Sequence, residues 1–331
     1  MLRASSITAR PLGIARDKTG WWRRYAEFAR AAGIDFEIFE MERSAWVDTV
    51  KRFQVVLWRA NLDPPFCEEA KEKIYFIEHF LGRRVVPNWN TFWHYDNKRA
   101  QAYLFELQGI PSPPTFVSYS QSEAKIFVHT AGFPLVSKRA DGAASSNIRS
   151  LPSAASATTE VRRAFSQPFW GKALRRLGIQ LHLTPRSQSG YVLWQQFVAA
   201  NDRDLRITVI GKDRVFAFWR NNRPGDFRAS GSGSIDYAVD AVEEECRFCL
   251  EVCRRNNFDT MAFDLVYHQG RFVVLEMSCA YNDEAIYRAP AHFLATDGGT
   301  ELRRVEGHVW PQELHINHVQ NLLAERPNTT P

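Results

Sequence analysis

No stretch of this 331-residue chain approaches the roughly 18 consecutive apolar residues a membrane-spanning helix needs, so no membrane partner is expected. The five cysteines are too few and too clustered for a disulfide scaffold, and so many unpaired thiols point to a reducing cytoplasm. Arginine–aromatic clusters of the kind that mark a nucleic-acid surface are missing, and a net charge of +5 spread along the chain does not supply one. The first twenty residues hold Arg3, Arg10 and Arg16 and no acid before Asp17, yet no long apolar core of a secretion signal. They read as an opening strand followed by a loop. What is present, 45% hydrophobic and 24% charged residues, is the profile of a soluble globular chain with room for two or three domains.

Three cysteines, Cys246, Cys249 and Cys253, form C-x2-C-x3-C, a spacing that invites a metal cluster. They lie in Tyr237–Asn256, where Val242, Cys246, Cys249, Leu250 and Cys253 recur at i, i+4, i+7, i+8 and i+11. That is the buried stripe of an amphipathic helix, and the thiols are expected to be packing residues.

The segment from Phe258 to Asn282 carries more chemistry. It reads as two strands, Ala262–Tyr267 and Phe272–Ser278, each with one carboxylate among apolar neighbours, Asp264 and Glu276. A three-residue loop, Gln269-Gly270-Arg271, would place these acids opposite each other on one sheet face, about 5 Å apart at Cα. Facing carboxylates repel unless a cation lies between them, and a hard divalent ion that shares its sphere with phosphate oxygens would serve. Two unrelated acids on a solvated face are the alternative.

Upstream, helix and strand alternate: Trp22–Ala32 ending at Gly33, Phe36–Glu40, Phe53–Trp58, Glu68–Leu81 and Arg84–Val86. This predicts a small open α/β domain with ligands beyond the carboxyl ends of its strands, where Arg59 and Asn61 fall, unless they are ordinary loop polars. Lys98 opens a helix that ends before Gly109. Pro134–Lys138 makes a strand leading into the small-residue loop Asp141–Asn147, which suits close approach to phosphate or serves as a linker. Leu151–Gly190 is poor in strand signals and contains the basic run Lys172–Arg176, as a mobile subdomain would. Strands return at Tyr191–Val198, Leu205–Gly211 and Arg214–Arg220, followed by the loop Ala229–Ser234. Arg206, Thr208 and Ile210 share one face, as do Arg214, Phe216, Phe218 and Arg220. Each arginine suits forked binding of carboxylate or phosphate, or else belongs to a solvated face.

In order and spacing these pieces resemble the ATP-grasp superfamily, and are most similar to its branch of ribosomal-protein glutamate ligases and glutathione synthetases. The resemblance runs from about Asp96 to Asn282. Lys98 in DNKRAQAYLFELQGIPSPPT and Lys138 in FPLVSKRADG match the two nucleotide-contacting lysines. Asp141–Asn147, with Ser145 and Ser146, corresponds to the phosphate-covering loop. In WQQFVAANDRDLRITVIG, Gln196, Phe197 and Val198 fall at the adenine hinge, and Asp204 and Arg206 match a D-x-R pair. FAFWRNNRPGDFRASGSGS supplies the family's arginine as Arg220, and Asp264 and Glu276 match its metal-binding acids. Ser278 stands where the branch usually has asparagine, Ser230 departs likewise in the Gly-rich loop, and Cys279-Ala280-Tyr281 replaces Ser-Pro-Gly. Asn282 offers a nearby amide oxygen.

The resemblance implies an α/β and α+β architecture, an ATP-grasp fold behind an N-terminal open α/β domain. The expected boundaries are 1–94 for that domain, 95–190 for the central or lid part, 191–300 for the part with the metal site, and 301–331 for a C-terminal helix and tail. It implies a ligase joining a small carboxylic acid to an amine, an amino acid or peptide, through an acyl-phosphate. ATP would be bound by Lys98, Lys138, Ser145, Ser146, Gln196, Phe197, Val198 and Asp204. Mg2+, or Mn2+ in its place, would be held by Asp264, Glu276, Ser278 and Asn282. Arg220 and Arg206 would take the acid and its phosphate. A kinase acting on a hydroxyl, or a nucleotide-binding protein without turnover, are the alternatives, and a homo-oligomer is compatible with either.

Overall fold

A computed structural model describes residues 10–63, 66–139, 148–165, 190–225, 233–296 and 301–325. Its first layer is a parallel sheet of four strands in the order β2-β1-β3-β4, formed by β1 (Arg10–Ala15), β2 (Phe36–Phe39), β3 (Phe53–Leu57) and β4 (Arg84–Val86). The crossovers are α1 (Trp21–Ala31), α2 (Trp46–Val50) and α3 (Phe66–His79). Gly13 sits in β1 because the ring of Phe53 fills the space of a side chain: a Cβ there would stand 2.3 Å from Phe53 Cδ2. The continuous apolar run Val55, Val56 and Leu57 is buried, as a strand covered on both faces requires. Arg59 and Asn61 follow β3 directly. Arg59 lies over the Trp21 ring at 4.7 Å, and the cavity that both residues help line holds only ≈ 20 Å³, room for a water molecule rather than a substrate.

A second sheet, antiparallel and ordered β5-β8-β6-β7, is built from β5 (Thr115–Ser118), β6 (Leu135–Lys138), β7 (Ile148–Leu151) and β8 (Val192–Gln196). One face packs on α6 (Gln121–Thr130) and α7 (Ala154–Phe165) through Phe116, Leu135, Val192 and Trp194. Before it come α4 (Trp89–Trp93) and α5 (Lys98–Gln108). Asn97 caps α5 by accepting from the Ala100 N–H at 3.3 Å, and Gly109 at φ 63 ends it.

The third sheet has seven strands. Its main path is β13-β12-β9-β10-β14-β15, with β11 (Ile235–Asp236) paired to β10. The others are β9 (Arg203–Ile210), β10 (Arg214–Asn221), β12 (Thr260–His268), β13 (Arg271–Ser278), β14 (Ala291–Thr296) and β15 (Glu301–Glu306). The segment expected as a C-terminal helix and tail thus opens with a strand, and only then forms α10 (Pro311–Ala324). That helix packs on α1 and β3 of the first layer through Ile316 and Val319.

Helix α8 (Glu243–Arg255) covers one face of the third sheet, and Cys246, Cys249 and Cys253 are fully buried there against Leu205, Phe263 and Leu265. Burial pushes all three thiols upward, so they behave as small apolar groups. The opposite face is apolar at one end, where Ile210, Phe216 and Phe218 are buried with Ile286 and Leu314, and carries the polar residues at the other.

Candidate active site

Alternation along β9, β10 and β12, and along β13 once its bulge at Leu275 is counted, sends Leu205, Ile207, Phe263, Val274 and Met277 into the core, and Asp204, Arg206, Asp264, Arg220 and Glu276 to the other face. Cross-strand register then fixes the pairs: Asp264 stands opposite both Glu276 and Arg206, and Arg220 opposite Asp204. Arg206 meets Asp264 through Nε at 2.5 Å and Nη2 at 3.1 Å. Arg220 grips Asp204 with a fork, Nε to Oδ1 at 2.7 Å and Nη2 to Oδ2 at 2.6 Å, and the same Nη2 reaches Asp264 at 2.9 Å. Burial raises the Asp264 carboxyl, but the Arg206 and Arg220 charges outweigh it and hold the group below its ordinary range. Asp204 is shifted upward by burial and then by the Asp264 charge, with Arg220 opposing.

The Asp264–Glu276 pairing is reached differently from the expected three-residue loop. The turn is Gln269-Gly270 alone, flanked by the pair His268–Arg271. Both residues have positive φ, 51 and 77, as a type I′ turn demands. An even loop would put the acids on opposite faces. A bulge between Asp264 and Leu265 absorbs Leu275 and restores the register.

Two lysines from distant segments converge on this hairpin. Helix α5 docks along β13 through Gln101, which accepts from the Met277 N–H at 2.9 Å and donates to the Met277 carbonyl at 2.7 Å. The helix's first residue, Lys98, is thereby set with Nζ 3.1 Å from Glu276 and 3.7 Å from Asp96. Burial lowers the Lys98 ammonium's pKa, but Glu276 and Asp96 outweigh it and raise it overall. Lys138, at the end of β6, donates to the carbonyl of the bulged Leu275 at 3.2 Å. Its ammonium is pushed down to about 8, by burial and then by Lys98, with Glu276 opposing. Four carboxylates and four cations share the face, so it is close to neutral.

Ser278 and Asn282 are engaged locally. The Ser278 hydroxyl donates to the Ala280 carbonyl and accepts from its N–H, both at 3.1 Å. Asn282 caps α9 (Asp283–Tyr287), its Oδ1 accepting from the Ala285 N–H at 3.0 Å. Among the described residues, no group of three or more His, Cys, Asp or Glu is placed to hold a metal ion.

Residues 177–290, which contain this whole carboxylate–arginine face, match the model of the RimK-like ATP-grasp domain. The chain carries a RimK-like ATP-grasp domain. It is 24% identical over 187 residues to the alpha-aminoadipate–LysW ligase LysX of Saccharolobus solfataricus, covering 54% of this chain and 58% of that protein. It is 24% identical over 222 residues to the ribosomal protein bS6–L-glutamate ligase of Escherichia fergusonii, covering 65% of each. The alignments therefore span less than two thirds of these relatives' length. The fold is also that of the ATP-grasp ligase PsnB complexed with minimal precursor, Mg and ADP, at TM-score 0.58 and 13% identity, over 93% of this chain and 98% of that one.

Around this ATP-grasp face, the expected hinge lies at the end of β8. The N–H groups of Gln196 and Phe197 are committed to the carbonyls of Pro114 and Pro134, at 2.9 and 3.2 Å. Val198 follows them. Ser145, Ser146 and Ser230 lie outside the described residues. Sequence reasoning missed Gln101, Asp96 and the Leu275 carbonyl. Gln101 follows Lys98 by three residues on one helix face, which was a usable signal. It also missed Val136 and Leu193, buried residues of the second sheet that lie outside its helix-packed core, Val136 two positions before Lys138 on the same strand.

Proposed function

We propose that this ATP-grasp domain catalyses ATP-dependent ligation of a carboxylic acid to an amine through an acyl-phosphate. The observation that carries the reading is the convergence of Lys98, on Glu276, and Lys138, on the adjacent Leu275 carbonyl, beside the Arg206–Asp264–Arg220 group. Lys98 and Lys138 would neutralise the nucleotide phosphates, and Val198 with the hinge carbonyls would meet the base over the apolar wall of Val136 and Leu193. The Arg220 edge turned away from Asp204 would orient the acid. A carboxylate oxygen of the acid attacks the γ-phosphorus as the bond to the ADP oxygen breaks. The amine nitrogen then attacks the acyl carbon, phosphate leaves with its oxygen, and the amine's proton passes to solvent.

The donor set fits a hard divalent ion. Glu276 meets Lys98 through Oε1 with its side chain 31% exposed, and Asp264 Oδ1, although 2.5 Å from Arg206 Nε, makes no directed hydrogen bond there. A triphosphate on a near-neutral face would also lack compensation. Asp264 and Glu276 would hold Mg2+, or Mn2+ in its place, with phosphate and water oxygens, leaving Ser278 and Asn282 to their local turns. When bound, the ion supplies charge neutralisation between phosphates.

The relatives' names, an aminoadipate–LysW ligase and a bS6–glutamate ligase, support an amino-acid substrate and a protein or peptide partner. Five buried free cysteines support a reducing cytoplasm, and among the described residues no helix is long and apolar enough to cross a membrane. ADP release with ATP and Mg2+ across panels of acids and amines tests the reading, with hydroxylamine added to trap the acyl-phosphate as a hydroxamate. A stable phosphorylated product that needs no amine would establish a hydroxyl kinase instead. A nucleotide-binding protein without turnover is the second reading, favoured by the two arginines that already occupy Asp264.

A further inference from the structure

Asp204 is expected, by resemblance, to contact the nucleotide. We propose instead that Asp204 is a positioning residue for Arg220: it fixes the guanidinium so that one edge stays turned to an incoming anion whether or not Asp264 turns to another cation. The inference rests on the reading that Arg220 meets the acid and its phosphate.

Three observations carry it. Both carboxylate oxygens of Asp204 are spent on Arg220, at 2.7 and 2.6 Å, and only 7% of the residue is exposed, so no acidic edge is left for a ribose or a base. The two residues are direct cross-strand partners in the β9–β10 ladder, so the sheet register itself sets the fork. Arg220 spends Nε and Nη2 on the two aspartates, which orients Nη1 without consuming it among the described residues.

The arrangement answers a specific problem. Asp264 already holds Arg206 through two nitrogens, and Arg220 adds a third contact. A guanidinium with no other anchor would close fully on Asp264, turning its own donors away from substrate. With Asp204 holding Nε and Nη2, Arg220 keeps its direction whether or not Asp264 turns to another cation. Forked geometry provides this and a point charge does not.

The test uses equilibrium binding to the full chain and needs neither acid nor amine. ADP affinity is measured without and with Mg2+, and orthophosphate is then titrated into the Mg2+–ADP form as a probe of the Arg220 edge. Asp204→Asn should leave metal-free ADP affinity unchanged and weaken orthophosphate about tenfold, the scale of one charge-assisted contact. Arg220→Lys should weaken orthophosphate similarly, and the double variant no further. Asp204→Glu, which keeps the charge, should recover part of the loss and provides a second variant if Asn folds poorly. A drop in metal-free ADP affinity in Asp204→Asn that persists in the Arg220→Lys background would make Asp204 a nucleotide contact and overturn the proposal. So would orthophosphate binding that ignores Asp204, or that is absent from wild type. If the chain proves to be a kinase, the ligase reading fails while this cycle remains readable.

Discussion

Asp264 and Glu276 face each other across a hairpin whose turn has two residues, a parity that by itself would set them on opposite sides of the sheet. The extra residue is Leu275, and its carbonyl, released from regular pairing by the bulge, is the acceptor for Lys138 at 3.2 Å. One irregularity thus aligns the acids and seats a lysine beside them.

Lys138→Ala should weaken ATP binding by about 1.5–3 kcal/mol, the range for a hydrogen bond to a charged group, without unfolding the chain. The pH dependence is a finer test. The Lys138 ammonium loses its proton near 8, so its contribution to phosphate binding is present below that pH and lost as pH rises through it. Lysine in the unfolded chain titrates near about 10.4, so between these values the unfolded state holds the extra proton and stability rises with pH. ATP titrations from pH 6 to 9.5 should show the affinity step in wild type, and Lys138→Arg should remove it. A flat wild-type profile refutes the assignment.

Glu276→Gln should abolish metal-dependent ADP release, because it removes a hard anionic donor between phosphates. The stability cost is modest, about 1–2 kcal/mol, because Glu276 is partly solvated and Asp96 still attends Lys98. Ser278→Asn gives the complementary result: activity is kept or less Mg2+ is required, read from ADP release against Mg2+ concentration. Release that survives Glu276→Gln unchanged removes the metal site from this face.

Gln101 is 2% exposed, and its amide satisfies both backbone groups of Met277. Gln101→Ala leaves a buried donor and acceptor unpaired, so it should cost about 2–4 kcal/mol by chemical denaturation. ATP affinity should fall as well, since α5 sets Lys98. Destabilisation with full ATP affinity would show that Lys98 finds its place without this clamp.

Much of this was legible in the chain. The heptad-like spacing of Cys246, Cys249 and Cys253 placed them in the core because helical period alone decides which face is buried. Asp264 and Glu276 stood out as lone acids in apolar strands. The bulge was not read: the sequence suggested an odd loop instead, and only the burial of Val274 and Met277, three residues apart, shows a spacing that regular alternation forbids. What could not be read was who neutralises whom. Asp204 and Arg220 are sixteen residues apart, and only the register of β9 and β10 joins them in a fork that the D-x-R spacing does not reveal. The small cavity beside Arg59 and Asn61 likewise depends on aromatic packing that local sequence does not specify.

The three buried cysteines give a prediction independent of nucleotide. Replacing Cys246, Cys249 and Cys253 by Ala should cost about 1 kcal/mol or more per site through lost contact, and leave metal content and colour unchanged. Native protein should resist alkylation at all three until it unfolds, because burial raises each thiol and bars reagent. Stoichiometric zinc or iron that disappears on replacement would overturn the packing role.

The bulge itself can be excised. Deleting Leu275 joins Val274 directly to Glu276, which keeps Val274 opposite Leu265 and Glu276 opposite Asp264 while making the ladder regular. The core face is preserved, because Val274 and Met277 then fall at regular spacing, so the chain should fold and hold the Lys98–Glu276 pair. Lys138 alone loses its acceptor. Its ammonium, buried without that carbonyl, should titrate lower, and the affinity step near pH 8 should move to lower pH with weaker ATP binding throughout. An unshifted step in a folded deletion variant would mean that the Leu275 carbonyl holds Lys138 only incidentally, and that burial alone sets its titration.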